Sequence, residues 1–521
     1  MIVPETMLSP ISIICLAFAC ATVTVVEAVD WDWSTWSPMD SYVNRADDSY
    51  TWRLLETHRV DAGGDDGQND TTVYILNMTS QTWKDETYSS TPVWSHHLTI
   101  AIPDNVTDYE HAFMWIGGGS NPSSPPSPDG DMFVMAAAAF GYETGSVGTY
   151  LRQIPNQPVF LPRSEDPSLR RTEDAIIAWT WRHFVDTNGT DPDILLRNPM
   201  TKAVVRAFDT VATFTKQQNT QFEITKFFPA GGSKRGWTTW TVGCVDKRVF
   251  AMAPVVLSVL KLRETISLHY RAYGGWSFAF GDYWRQNITQ YLNDDIIDRM
   301  GEVVDPYSYR NRMTMPKIVI QATGDEFFLP DEPNVWFKDL IGPKYVWMVE
   351  NTHHPMTFAR LDIFNNLVSF YKTITKQYTL PEFNWNLAYD QENRRGTIDL
   401  FTPQQIPIRM TVWYAETADG LRGPARRDFR WAIASEETPG EVDFNPVIWA
   451  EDPSALVEVE ARHWRATVAE PIEGWGGFFI EVVFANQDAE ELVFTTELNV
   501  IPPTYPFEAC STPTECWGTI V

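Results

Sequence analysis

At 521 residues, with 44% hydrophobic and 21% charged side chains, the chain has ordinary globular composition and length for more than one small core. Its formal net charge of -28 and pI near 4.7 exclude nucleic acid and anionic membrane surfaces as partners, because phosphates are repelled. The 22 tryptophans suit deep cores and sugar- or peptide-binding surfaces alike.

The chain opens on "ISIICLAFACATVTVV", an apolar run followed by Val26-Glu27-Ala28, a small-x-small pattern that suits a signal peptidase. A signal peptide over 1–28, secretion, and no stable membrane insertion after cleavage are the expectations. No later stretch is long and apolar enough to span. The departure is charge: residues 1–28 carry no Lys or Arg, and Glu5 stands where a cation is usual. A retained signal anchor is the alternative. Cleavage removes Cys15 and Cys20 and leaves Cys244, Cys510 and Cys516. Cys510 and Cys516 bracket a short polar loop and are the expected disulfide, with Cys244 a small buried hydrophobe. Asn69, Asn77, Asn105, Asn188 and Asn287 each begin an Asn-x-Ser/Thr acceptor for glycosylation.

From residue 93 to 375, short apolar runs alternate with helical patterns. "HHLTIAIP", "HAFMWIGG" and "TYLRQIPNQPVFL" read as strands and "DMFVMAAAAFGY" as a helix. "SLRRTEDAIIAWTWRHFV" and "MTKAVVRAFDTVATFTKQ" are long helical patterns. "EITKFFPAG", "VFAMAPVVL", "PKIVIQATG" and "KYVWMVEN" read as strands buried on both faces. "TFARLDIFNNLVSFYKTI" closes the series as a covering helix. Such alternation predicts an α/β fold with a mostly parallel sheet and flanking helices over residues 29–378. Beyond it the period drops to two, as in Ile408–Tyr414 and Val457–Ala461, and "GGFFIEVVF" and "LVFTTELNVI" follow as further strands. That pattern predicts a small antiparallel β-sandwich over 379–503, separate from the first sheet, with a cysteine-containing tail over 504–521.

Within the first part, "FFPAGGSKRGWTTW" runs from a strand pattern through two glycines and Ser233 into a helix pattern. It reads as a nucleophile elbow or as a glycine-rich turn with a serine helix cap. An elbow also demands an acid and a histidine in the order Ser, Asp/Glu, His, each after a later strand. Asp325 follows "PKIVIQATG", and "THHP" follows "KYVWMVEN". The histidines beyond Asp325 are His353, His354 and His463, and the last lies in the alternating β part. Of the neighbouring pair, His354 is the expected base. An Asx-type turn at Asn351 would bring the third residue after it toward the elbow, and Pro355 biases His354 toward extended backbone.

An oxyanion needs two backbone N–H donors. Lys234, after the nucleophile, is one. Gly117 and Gly118 of "MWIGGGSN", a loop upstream that bare backbone can line, are candidates for the other, unless that loop is simply flexible. Lys234 and Arg235 stand in the first helical turn, where the dipole disfavours cations. Pairing with Glu326 or Asp331, or else an acidic substrate group, is expected to offset this. Trp237 and Trp240, spaced by three, point to the core. No metal motif is present, and His96 and His97, adjacent in a strand, diverge to opposite faces.

"GGSKRGWTTW", "VDPYSYRNRMTMPKIVIQATGDEFFLPD" and "VENTHH" together resemble the PhoPQ-activated pathogenicity-related protein family across most of the mature chain. The resemblance implies an α/β-hydrolase fold followed by a small β domain, with catalytic positions at Ser233, Asp325 and one of the paired histidines. Arg235 departs from Gly-x-Ser-x-Gly, with Gly236 displaced by one. Two functions follow as expectations: a serine hydrolase acting on a peptide or acyl substrate without a cofactor, or an extracellular signal that restrains proliferation through a cell-surface receptor, using the fold as scaffold.

Overall fold

The computed structural model describes residues 36–63, 70–438 and 440–521. The expected signal peptide and Asn69 lie outside these. Among the described residues no helix is long and apolar enough to cross a membrane. The chain enters through α1 (Pro38–Val43), anchored by a buried Arg312–Asp40 ion pair of 2.9 Å. Two long antiparallel strands follow, β1 (Thr51–Val60) and β2 (Thr71–Thr82). They lead into β3 (Val93–Pro103), β4 (His111–Ile116), α2 (Met132–Thr144) and β5 (Val147–Leu151). The strand pattern at 149–161 stops at Leu151, and Pro155 and Pro158, which have no N–H to donate to a ladder, follow it.

Next come α3 (Asp174–Asp186), α4 (Arg197–Gln218), β6 (Lys226–Gly232), α5 (Lys234–Val245) and β7 (Ala253–Val255). Helices α6 (Leu262–Tyr273), α7 (Gly281–Arg285) and α8 (Asp295–Val304) form an insertion before β8 (Lys317–Ala322). The series closes with α9 (Pro333–Trp336), β9 (Lys344–Val349) and α10 (Arg360–Thr375). In the sheet these strands run in the order β1-β2-β3-β5-β4-β6-β7-β8-β9, parallel from β5 to β9. The crossovers place helices on both faces, so β6, β8 and β9 are almost wholly buried, which is why they read as unbroken apolar runs. This is an α/β-hydrolase-type sheet, with β6 central.

The last part is antiparallel: β10 (Asn384–Asp390), β11 (Arg395–Phe401), β12 (Arg409–Glu416), the ribbon β13 (Ala432–Ala434) and β14 (Val442–Phe444), and β15 (Ala450–Glu451). Then come β16 (Leu456–Glu460), β17 (His463–Ala469), β18 (Gly476–Ala485), β19 (Glu491–Thr495), β20 (Asn499–Ile501) and the short α11 (Pro513–Trp517). One layer, β10-β11-β17-β16, is a sheet of its own. The other is not: β19 pairs antiparallel with β9 at Thr495–Val346, so β19-β18-β12-β15 extend the hydrolase sheet, contrary to the expected separation. One core accordingly contains Phe228 and Ile318 of the parallel strands with Ile398, Phe478 and Phe494 of the antiparallel ones. Cys510 and Cys516 are disulfide-bonded and Cys244 is buried and free. Most tryptophans serve these cores; Trp83, Trp94, Trp240, Trp276 and Trp336 are fully enclosed, and Trp237 is also buried.

Candidate functional site

Ser233 sits between β6 and α5 at φ 58° and ψ -128°, a backbone conformation that costs a non-glycine residue about 1–3 kcal/mol. Its side chain makes no capping bond, which removes the helix-cap reading. The turn is held because its neighbours leave no alternative. Ser233 N–H donates to Val255 O (2.9 Å), and Gly236 passes so close to β7 that a Cβ there would lie 2.6 Å from Val255 O. Gly236 thus supplies the close approach of helix to strand, although the residue sits one place later than in Gly-x-Ser-x-Gly.

Asp325 and His354 come from the loops after β8 and β9, and the parallel sheet brings both to the same end as Ser233. With its proton on Nδ1, His354 donates to both Asp325 oxygens at 2.9 Å, and its Nε2 accepts from Ser233 Oγ at 2.8 Å. Asp325 Oδ1 also accepts from the Phe327 and Phe328 N–H groups (2.7 and 3.2 Å), so the carboxylate is fixed independently of the histidine. The Phe327 ring packs on the imidazole, centroids 4.5 Å apart. Glu326 Oε2 accepts the His354 backbone N–H at 3.0 Å. Burial, reinforced by the charge of Asp325, pushes the Glu326 carboxyl up to about 7.

The histidine loop turns by a different device from the one expected. Asn351 adopts φ 49°, and its side chain forms no Asx turn. It clamps the Trp449 backbone instead, donating to the carbonyl (2.9 Å) and accepting from the N–H (2.8 Å), which ties the His354 loop to the antiparallel part. His353 points away, against Trp431 and Phe358.

The cations of the first helical turn have partners other than those expected. Lys234 pairs with Glu173 (3.0 Å) and Asp174 (2.9 Å), and Arg235 with Glu173 (2.7 Å). Glu326 holds the histidine loop, and Asp331 pairs with Arg427. Burial alone would raise Glu173, but Arg235 and Lys234 outweigh it and hold the carboxyl at about 2. Glu173 repeats the serine's strained backbone, at φ 50° and ψ -126°. Nothing in "TED" at 172–174 signals this role, since the pairing spans 62 residues of chain and a sheet crossover.

The glycine loop after β4 also differs. Gly117 N–H is spent on Leu151 O at 2.8 Å, so it is no oxyanion donor. Gly118 makes room for Arg235: a Cβ there would lie 2.6 Å from Nη2 of that guanidinium. Neither glycine lines the cavities that reach Ser233. Lys234 does, and its N–H is among the first helical donors of α5, which lack intrahelical partners. Of the remaining acceptor asparagines, Asn105 and Asn188 are exposed, whereas Asn77 and Asn287 are half-buried and Asn77 Nδ2 donates to Ser95 Oγ.

Two apolar cavities meet at Ser233. The larger, about 510 Å³, lies between α2 and α10; the smaller, about 70 Å³, lies beneath the α6–α8 insertion.

Acetyl xylan esterase from Paenibacillus sp. R4 is 14% identical, with 63% of this chain and 90% of that one covered at a TM-score of 0.42. Acetyl Xylan Esterase 1 from Thermoanaerobacterium sp. is 14% identical over 64% and 93% of the two chains, at a TM-score of 0.39. Autocrine proliferation repressor protein A of Dictyostelium discoideum is 36% identical over 491 residues, which cover 92% of this chain and 93% of that protein. The family model for PhoPQ-activated pathogenicity-related protein matches residues 39–430, running past α10 into the antiparallel part that shares its core. The chain belongs to the PhoPQ-activated pathogenicity-related protein family.

Proposed function

We propose that the protein is a secreted serine hydrolase that cleaves an ester or amide bond, with Ser233 as nucleophile, His354 as general base and then acid, and Asp325 as the orienting carboxylate. The observation that carries it is the unbroken hydrogen-bond chain from Ser233 Oγ through His354 to Asp325, anchored on a strained serine at a cavity wall. Ser233 Oγ attacks the carbonyl carbon while its proton passes to His354 Nε2. Asp325 stabilises the imidazolium through Nδ1–H. The oxyanion forms at the N-terminus of α5, where the Lys234 N–H stabilises it. As the tetrahedral species collapses, the leaving alcohol or amine takes the proton from Nε2. Water then repeats the attack on the acyl-enzyme, giving the acid and free Ser233. Secretion rests on the apolar N-terminal run, with the Cys510–Cys516 disulfide and the exposed acceptors Asn105 and Asn188 in keeping with it.

A second reading has one specific support: the relative's name describes a proliferation repressor, and its identity extends over nearly the whole chain. On that reading the fold presents a receptor-binding surface. One comparison separates the two. Wild type and Ser233→Ala, purified from medium, are assayed for hydrolysis of a small activated ester and for restraint of cell growth. Loss of both effects in the variant ties growth restraint to chemistry. Loss of hydrolysis alone assigns growth restraint to the scaffold, and undiminished hydrolysis removes Ser233 from the mechanism.

A further inference from the structure

The groups flanking a scissile carbonyl must diverge on either side of the atom that attacks it, so the walls beside Ser233 report on both halves of the substrate. The larger cavity is walled by Phe113, Phe133, Phe140, Met356, Phe364 and Leu367. The smaller is walled by Trp181, Leu257, Val259, Phe280, Ile288 and Leu292. The charged side chains that reach these walls from the N-terminal ends of α3 and α5, Glu173, Asp174, Lys234 and Arg235, are consumed by one another, and Arg360, exposed at the start of α10, adds one cation to the larger cavity. A peptide threaded through this site would bury main-chain N–H and C=O groups on both sides against hydrocarbon, with few partners to take them. At the larger cavity the apolar lining reaches solvent through Met132, which is 53% exposed.

We infer that the substrate is an ester of a medium-length acyl chain with an apolar alcohol, one half in each cavity, and not a peptide. The inference rests on the hydrolase reading of Ser233. Its physical basis is transfer of methylenes from water into the aromatic-lined space between α2 and α10, so specificity resides in chain length. Ala136, half-buried on α2, faces that space and is the position from which it can be filled.

The test measures kcat/KM of the purified full chain on p-nitrophenyl acetate, butyrate, hexanoate and octanoate, beside an acyl-dipeptide p-nitroanilide. The inference expects a rise of up to about fourfold per added methylene until the cavity is full, and negligible anilide turnover. Ala136→Trp should lower the octanoate-to-acetate ratio at least tenfold, and Ala136→Leu should lower it less. The ratio is internal to each preparation, so partial misfolding does not mimic the effect. A Ser233-dependent acetate activity with no chain-length rise, an unaltered ratio in Ala136→Trp, or anilide turnover matching the best ester overturns the inference while leaving the hydrolase intact. Failure to hydrolyse any ester, or ester hydrolysis unaffected by Ser233→Ala, overturns both.

Discussion

The imidazole of His353 lies edge-on to Trp431, centroids 5.4 Å apart, and parallel to Phe358 at 6.3 Å, whereas that of His354 bridges a hydroxyl and a carboxylate. Burial holds His353 below its usual range, so it stays neutral and serves packing. His354→Ala is therefore expected to lower kcat by about four to six orders of magnitude with the fold retained, as measured by ester turnover beside circular dichroism. His353→Ala should stay within about tenfold of wild type. A reversed ranking would make His353 the base. Glu326, one residue from Asp325, gives a second test. Its carboxyl is raised from 4.5 to about 7 in the fold, so its neutral form is favoured there. The stability it contributes is complete below about pH 4.5 and is lost as pH rises through about 7, by up to roughly 3 kcal/mol. Glu326→Gln keeps an acceptor for the His354 N–H and cannot ionise. Its denaturation midpoint relative to wild type should improve between pH 5 and pH 8; a constant difference would show that Glu326 does not titrate there. Glu173, held at about 2, acts in a separate window, losing its contribution only as pH falls below about 4.5.

The elements around the elbow show why a glycine matters at one position and not at its neighbour. A Cβ at Gly236 would lie 2.6 Å from Val255 O and 3.0 Å from Gly231 O, both backbone atoms, whereas one at Gly232 meets nothing within 4 Å. Gly236→Ala should cost about 1–3 kcal/mol in chemical denaturation, and Gly232→Ala should fall within about 0.5 kcal/mol of wild type. Equal effects would mean that α5 does not press on β7. The strand-turn-helix around Ser233 was legible in sequence because glycine spacing and apolar runs are local signals. The order Ser233, Asp325, His354 was legible because parallel strands deliver their following loops to one end of the sheet. The ion pairs of Lys234 and Arg235 were not legible, since their partners arrive from α3 by tertiary packing. The α6–α8 insertion gave no sustained period, being short helices joined by single 3-10 turns. The strands β1 and β2 lie before the alternation begins. The continuation of the sheet through β19 and β9 rests on one residue pair, and no local pattern encodes that.

On the scale of the whole molecule, the tail closes the structure. Trp276, in the insertion, is enclosed by it: its Nε1–H donates to Cys516 O at 2.9 Å, its backbone N–H to Thr519 O, and its carbonyl accepts from Val521 N–H, each of the latter two at 2.8 Å. The Val521 carbonyl in turn accepts from Arg430, whose guanidinium is buried in an ion pair with Asp428. Replacing Cys510 and Cys516 together by serine should cost about 2 kcal/mol, the chain entropy of so short a loop. Deleting 506–521 should cost more, because it also uncovers Trp276 and leaves Arg430 one acceptor short. Urea midpoints of the two variants check this order, and a deletion no worse than the serine pair would show that the tail packs without stabilising. The tail, the insertion and the antiparallel layer thus brace the same end of the sheet at which Ser233, Asp325 and His354 meet.

The proposed chemistry requires Ser233 to be the reactive residue. Treating the purified protein with a fluorophosphonate and mapping the modified peptide by mass spectrometry tests that directly. Modification confined to the peptide bearing Ser233, slowed at least a thousandfold in His354→Ala, is the predicted result. Labelling at a different serine, or an unchanged rate in His354→Ala, would contradict it.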